Sequence, residues 1–371
     1  MTLPHGDVTK EISSTMYAEP ATTWGPVFGY RWNNCPNRIL RVARGEIVTD
    51  RHYRFNNYNQ HCSFDYSPKK TSEHIYRFVV LGDAFTNDLL LHMAWPETLH
   101  HLLNSRKEFG IDFEVYSFPT DGGGLPNWHA TFMALIDREF DYDALIIADW
   151  GNDLARNWAM IDSNTTQSRA IAVDPRNKPR TREQFEALLP QATVLPEIRS
   201  EEEIEARVRK LKKKADPQAV TPADCLDGRN GAELPPGNYQ FSKEVFIQRY
   251  DEMRYGMLEG IINVCRDKDE LVIYSCLPSL EGLICLQNDG KKLMAQAQGE
   301  GLCRHFDIQF FDGYEALRGI DSQSLVDFYW LKYDAHWNLG ASMHYALKLA
   351  DWIFQMKLFL RNPSEAVRRQ S

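Results

Sequence analysis

Residues 77 to 86 read Arg-Phe-Val-Val-Leu-Gly-Asp-Ala-Phe-Thr. A short apolar run stops at Gly82, and an apolar-periodic stretch follows. The run Phe78 to Leu81 has no polar alternation, which predicts a strand buried on both faces. Such a strand belongs in a parallel sheet with helices above and below. The rest of the chain keeps this rhythm. Phe113 to Phe118, Ala144 to Ala148, Leu271 to Leu277 and Ile308 to Phe311 predict four further strands. Helices are expected over Leu89 to Leu103 and Trp128 to Ile136. The stripe Phe246, Tyr250, Met253, Met257, Ile261 and Val264 predicts one long helix, and Met343, Ala346, Leu347, Ala350, Ile353 and Phe354 predict the closing one. Strands alternating with helices imply an α/β protein, a three-layer α/β/α sandwich around a mostly parallel five-stranded sheet.

Two regions depart from the rhythm. Residues 1–75 are rich in Asn, Tyr, Pro and Arg and read as an irregular N-terminal segment packed on the core, with short strands near Gly29 to Arg31 and Glu46 to Val48. The main domain then spans 76–360 and carries a polar insertion over 161–240. Within it, Glu201, Glu202 and Glu203 precede Arg207, Arg209, Lys210, Lys212, Lys213 and Lys214. Acid before base suits the dipole of a solvated helix. An insertion of this length often forms a lid or a substrate-side subdomain.

The net charge of −9 argues against a nucleic-acid partner, which normally needs a basic face. The seven cysteines are scattered without a C-x-x-C pair, which predicts neither a disulfide framework nor a zinc site. No apolar run reaches bilayer length, and the first residues lack the apolar core of a leader. A cytoplasmic protein without metal or cofactor is expected, with no nucleic-acid or membrane partner. Oligomeric state is not legible.

Polar signals gather where strands end. Gly82-Asp83-Ala84 follows the first strand, Asp121-Gly122-Gly123-Gly124 the second, and Trp150-Gly151-Asn152-Asp153 the third. Asp334-Ala335-His336-Trp337-Asn338 precedes the closing helix. Strand carboxyl ends are where open α/β sheets bind ligands. No Gly-x-Gly-x-x-Gly follows the first strand, so a dinucleotide site is a poor reading.

In this order the four blocks resemble those of the SGNH, or GDSL-type, hydrolases. That family's first block reads Gly-Asp-Ser, often continued by Phe-Thr, and this chain reads Gly82-Asp83-Ala84-Phe85-Thr86. A glycine centres the second block, matched by Gly122. The third contains Gly-x-Asn-Asp, matched by Gly151-Asn152-Asp153 with Trp150 at the leading glycine. The last sets Asp three before His; here Asp334 stands two before His336, a spacing also seen in acyltransferase-like branches. The resemblance covers 77–153 and 270–356. It implies a flavodoxin-like sheet and hydrolysis of a small-molecule ester or acylated substrate through an acyl-enzyme.

The chemistry fits these residue types. A hydroxyl needs a base to take its proton. His336 suits the task because an imidazole as such titrates near neutral pH, and Asp334 would fix its tautomer and stabilise the imidazolium. The backbone N–H groups of Ala84 and Gly122 and the Asn152 amide are the implied oxyanion donors. Asp83, Trp150, Arg156 and Trp158 are candidates to line the substrate site; Asp83 reads as a turn cap before a nucleophile. The methyl group of Ala84 attacks nothing. Two explanations stand: a chain inactivated at its nucleophile, or a native alanine in a protein that binds an acylated ligand without turnover. Transfer of the acyl group to an alcohol, in place of hydrolysis, is a further alternative.

Overall fold

The computed structural model describes residues 55–325 apart from 59, 107, 108, 122, 152, 157, 163–166, 172–192, 195–240, 290 and 291. It also describes 329, 336–360 and short strands before residue 54. The central sheet has five strands: β1 (Ile75–Gly82), β2 (Asp112–Pro119), β3 (Ala144–Trp150), β4 (Leu271–Leu277) and β5 (Gln309–Asp312). Their order is β5-β4-β3-β1-β2, and each adjacent pair is parallel. The α/β expectation therefore holds, with every pairing of the central sheet parallel.

Alternate residues of each strand feed opposite cores. Phe78 and Val80 of β1 join Ala144, Ile146 and Ala148 of β3 in one cluster; Val79 and Leu81 join Leu145 and Ile147 in the other. The first cluster is closed by α2 (Trp95–Ser105), α6 (Leu280–Asp289) and α8 (Leu339–Met356). The second is closed by α3 (Leu125–Thr131), α5 (Glu252–Asp267) and α7 (Met294–Phe306). Two-sided burial is why these strands carry unbroken apolar runs.

Three helix boundaries differ from expectation. The helix expected from Leu89 is divided: a single turn, α1 (Ala84–Asn87), ends at Asp88 in the left-handed region (φ 48°), and α2 begins only at Trp95, with Pro96 in its first turn. Proline suits that position because its missing N–H would be unpaired there. Leu89 and Leu90 instead pack on Phe55 of the N-terminal segment. The helix expected from Trp128 starts earlier, at Leu125, again with a proline in its first turn, and passes into a π-helical turn over Phe132–Ile136. The long helix of the 246–264 stripe is two helices, α4 (Lys243–Arg249) and α5. Asp251 (φ 135°) breaks the run and caps α5 by accepting from the Arg254 N–H.

The N-terminal strands Lys10–Ser13, Asn37–Ala43 and Glu46–Tyr53 form an antiparallel sheet, and the short strand expected near Gly29 is Arg31–Trp32. Phe55, Asn56, His61, Cys62 and Tyr66 are buried against the core. The His61 ring meets the Asn87 carbonyl at 2.8 Å, and the Ser63 N–H donates to Glu97 at 3.2 Å. Cys62 and Tyr66 enter the second cluster. Arg77, fully buried in β1, ties this segment down: its Nη1 donates to the carbonyls of Pro68 (2.9 Å) and Asp141 (2.8 Å), and its guanidinium lies over Tyr116. The strand Trp158–Asp162, which leads into the insertion, forms an antiparallel sheet with Gln167–Ile171 and Thr193–Val194 within it. The expected charged helix over 201–214 lies outside the described residues. Among the described residues no helix is long and apolar enough to cross a membrane.

Candidate active site

The strand order reverses direction at β1. The chain leaves β1 for β2 on one side, then crosses to β3 on the other. The crevice outside the carboxyl ends of β1 and β3 is where a sheet of this order binds ligands. Gly82, Asp83 and Ala84 stand at one lip and Trp150 at the other.

The turn out of β1 is built by Asp83. Its Oδ1 accepts from the Phe85 N–H at 2.9 Å, the cap bond that starts α1. Its Oδ2 accepts from Arg156 Nη1 at 3.0 Å. Both oxygens are thus engaged within the protein, as a turn-building role requires. The Gly82 carbonyl accepts from the Trp128 indole at 3.0 Å and from the Thr120 N–H at 2.9 Å. Across 81–88, Ala84 alone is not buried. The fold therefore aims position 84 outward from a rigid turn.

Arg156 joins three loops. Besides Asp83, its Nη1 reaches the Gly123 carbonyl at 3.1 Å and Asp153 Oδ1 at 3.0 Å. Asp153 Oδ2 accepts from the Trp150 N–H at 2.9 Å and closes the turn after β3, in which Gly151 has φ +62°. Glycine carries that left-handed conformation without the Cβ penalty. Asp149, at the end of β3, accepts a hydrogen bond from the Tyr274 hydroxyl. Burial pushes the carboxyl of Asp149 up to about 6 and that of Asp153 well above the carboxylate range, against the pull of Arg156. Burial works against the charge of Arg156, but Asp153 and Asp83 outweigh it and hold the guanidinium protonated.

The loops also meet through backbone. A Cβ on Gly124 would lie 2.0 Å from the Asp153 carbonyl oxygen, a main-chain atom that cannot swing away. Around Gly151 nothing lies within 4 Å of such a Cβ. Gly124→Ala should therefore cost about 2 kcal/mol or more, and Gly151→Ala about 1 kcal/mol from backbone strain. Urea unfolding of the two variants checks this; equal losses would refute the close approach.

His336 stands at this same end of the sheet. Its ring lies 4.6 Å from that of Phe85, the residue after Ala84, tilted by 34°. Phe85 is also stacked on Trp150 (4.7 Å, 17°) and meets Trp337 edge-on at 5.5 Å. Three rings from two distant parts of the chain thus surround the side chain next to position 84. The structure brings together Asp83, Ala84, Trp150, Arg156 and His336. Gly122, Asn152 and Asp334 lie outside the described residues; Trp158 opens the strand Trp158–Asp162, and its side chain lies outside them as well.

Three participants were missed in the sequence. Asp149 could have been found, because one carboxylate in the apolar stretch Ala144–Trp150 must have a partner. Tyr274 hides in an ordinary strand. Asp88, buried, receives the Trp337 indole N–H at 2.7 Å and the Ser342 hydroxyl at 2.8 Å, links across 249 and 254 residues that no local pattern announces. Among the described residues, no cluster of three or more His, Cys, Asp or Glu could hold a metal ion.

No protein-family model matches the sequence, and no curated protein is significantly similar to it. Solved structures give weak likenesses. A member of the lipolytic protein G-D-S-L family from Veillonella parvula superposes with a TM-score of 0.35 at 10% identity, covering 74% of this chain and 97% of its own. A lipase from a goat rumen metagenome gives 0.36 at 14% identity, covering 74% and 97%. Likenesses of this size leave substrate and chemistry open.

Proposed function

We propose that this chain carries an ester-processing site of the SGNH type, in which position 84 is the place of the nucleophile. The observation that carries the reading is Ala84 itself: the outward-facing residue of a buried turn, in the switch-point crevice, one residue from the ring that packs on His336.

A serine hydroxyl at position 84 would attack the acyl carbon of an ester. His336 would take its proton, and the same imidazolium would return it to the departing alkoxide. Asp334 would hold the imidazole, and the N–H groups of residues 84 and 122 with the Asn152 amide would stabilise the tetrahedral oxyanion. Water would then release the acid from the acyl-enzyme. Asp83 and Arg156 do not react; they fix the turn that aims position 84. The partly exposed ring of Trp150 at the crevice favours an acylated small molecule with apolar surface. With a methyl group at position 84 the protein holds this substrate without turning it over.

The test is labelling. Ala84→Ser protein incubated with a fluorescent fluorophosphonate should acquire the probe at residue 84, and the unsubstituted chain should not. Absence of label on a folded Ala84→Ser protein defeats the proposal.

A further inference from the structure

Asp88 is a buried group that the reaction above does not use. It ends α1 in the left-handed region and is 4% exposed. An enclosed carboxylate is costly unless its oxygens are bonded. Here Oδ1 takes the Trp337 indole N–H at 2.7 Å and Oδ2 takes the Ser342 hydroxyl at 2.8 Å. Both donors belong to the segment that carries His336: Trp337 follows it directly, and Ser342 lies in the first turns of α8, whose N-cap is Asn338. The acceptor belongs to the turn that begins at Ala84.

We propose that Asp88 is a positioning residue for His336, joining the turn that presents residue 84 to the loop that presents the imidazole and supplying a negative charge within its reach. A rigid staple between the two is what a proton transfer needs, since hydrogen-bond geometry must already exist when substrate arrives. The charge matters separately. Burial pushes the Asp88 carboxyl up to about 7, while its bonds to Ser342 and Trp337 and the charge of His336 pull it down. That attraction is mutual: an anion at 88 favours the imidazolium. Two further titratable groups meet this turn: the His61 ring lies 2.8 Å from the Asn87 carbonyl, and the Asp121 carboxylate accepts from the Asn87 side-chain amide at 2.9 Å. The inference deepens the proposed function and relies on it only for its kinetic arm.

Asp88→Asn separates charge from shape. Asparagine accepts from the indole, donates to the Ser342 hydroxyl and tolerates the left-handed backbone. Titration of the histidine side chains by ¹⁵N NMR should show the His336 midpoint lower than in the unsubstituted protein by about half a pH unit, with the Trp337 indole signal little moved. Ser342→Ala, which removes one bond to the anion, should lower the midpoint in the same sense and serves if Asp88→Asn does not fold. A His336 midpoint unchanged in both variants would overturn the inference, since a merely structural staple leaves it fixed. In the Ala84→Ser background, Asp88→Asn should displace the acidic limb of kcat/KM by the same half unit, with KM little affected. An inactive Ala84→Ser protein would count against the proposed function alone, and the titration would still decide the role of Asp88.

Discussion

Ala84→Ser is expected to hydrolyse a short-chain aryl ester that the unsubstituted chain leaves at the background rate, and His336→Ala in that background is expected to abolish the gain. The expected loss is on the order of 10⁴-fold or more in kcat, because a nucleophile and its base act as one unit and neither is useful alone. The argument for so large an effect from one oxygen atom lies in the surroundings of position 84. The cap bond from Asp83, the two bonds to the Gly82 carbonyl and the Arg156 clamp leave the turn no freedom to be lost in the variant. Residue 84 is also partly exposed, so the added hydroxyl has access to solvent. Folding should therefore be unaffected, and the measured change should report chemistry.

Steady-state rates for the two variants and the parent decide the matter. An Ala84→Ser rate indistinguishable from the parent removes the hydrolytic reading. A rate that survives His336→Ala reassigns the base, since the hydroxyl would then be activated by another group. Product analysis with an added alcohol separates hydrolysis from acyl transfer in the same assay. Among described groups, Asp83 is no substitute base: both of its oxygens already accept bonds, from the Phe85 N–H and from Arg156.

The sheet was legible because its physics is repetitive. A strand covered on both faces must be apolar at every position, so Phe78–Leu81 and Ala144–Ala148 stand out against the polar turns that follow them. Helix boundaries were less legible where one residue decides them. Nothing in the apolar spacing of Leu89 to Leu103 reports that Asp88 turns left-handed or that Leu89 and Leu90 serve Phe55. The stripe from Phe246 to Val264 likewise runs unbroken across the Asp251 kink, because the two helices present the same face to one core. In the candidate site, residues at strand ends could be listed from sequence, since turns concentrate glycine, asparagine and aspartate. What could not be read was their mutual engagement. Arg156 was a candidate lining residue, and the structure places its guanidinium under the turn with Asp83, Asp153 and Gly123 as partners. Asp88 had no visible partner, since Trp337 and Ser342 lie 249 and 254 residues away.

Arg156→Met should be among the most destabilising substitutions in the molecule, by about 3–5 kcal/mol near pH 8, because it leaves buried carboxylates without their cation. Asp83 and Asp153 each lose an ion pair at 3.0 Å, and Asp149 loses a compensating charge in the same enclosure. Methionine replaces much of the volume, so the deficit is electrostatic in origin and should depend on pH in a defined direction. The carboxyls of Asp149 and Asp153 are already raised by burial in the presence of Arg156. A carboxyl whose folded value lies above its unfolded value of about 4 binds its proton more tightly in the native state. Native stability from such a group is present below the unfolded value and is lost as pH climbs through the folded value. For Asp149 that window runs from about 4 to about 6. Without the guanidinium the folded values move higher, so the window widens upward and the loss deepens at alkaline pH. Urea unfolding at pH 8 and at pH 5 tests this: the gap between Arg156→Met and the parent should be largest at pH 8 and shrink by about half at pH 5. A gap of equal size at both values would mean that Arg156 stabilises the loops by packing and neutral hydrogen bonding, and that the acids beneath position 84 are protonated in the parent throughout this range.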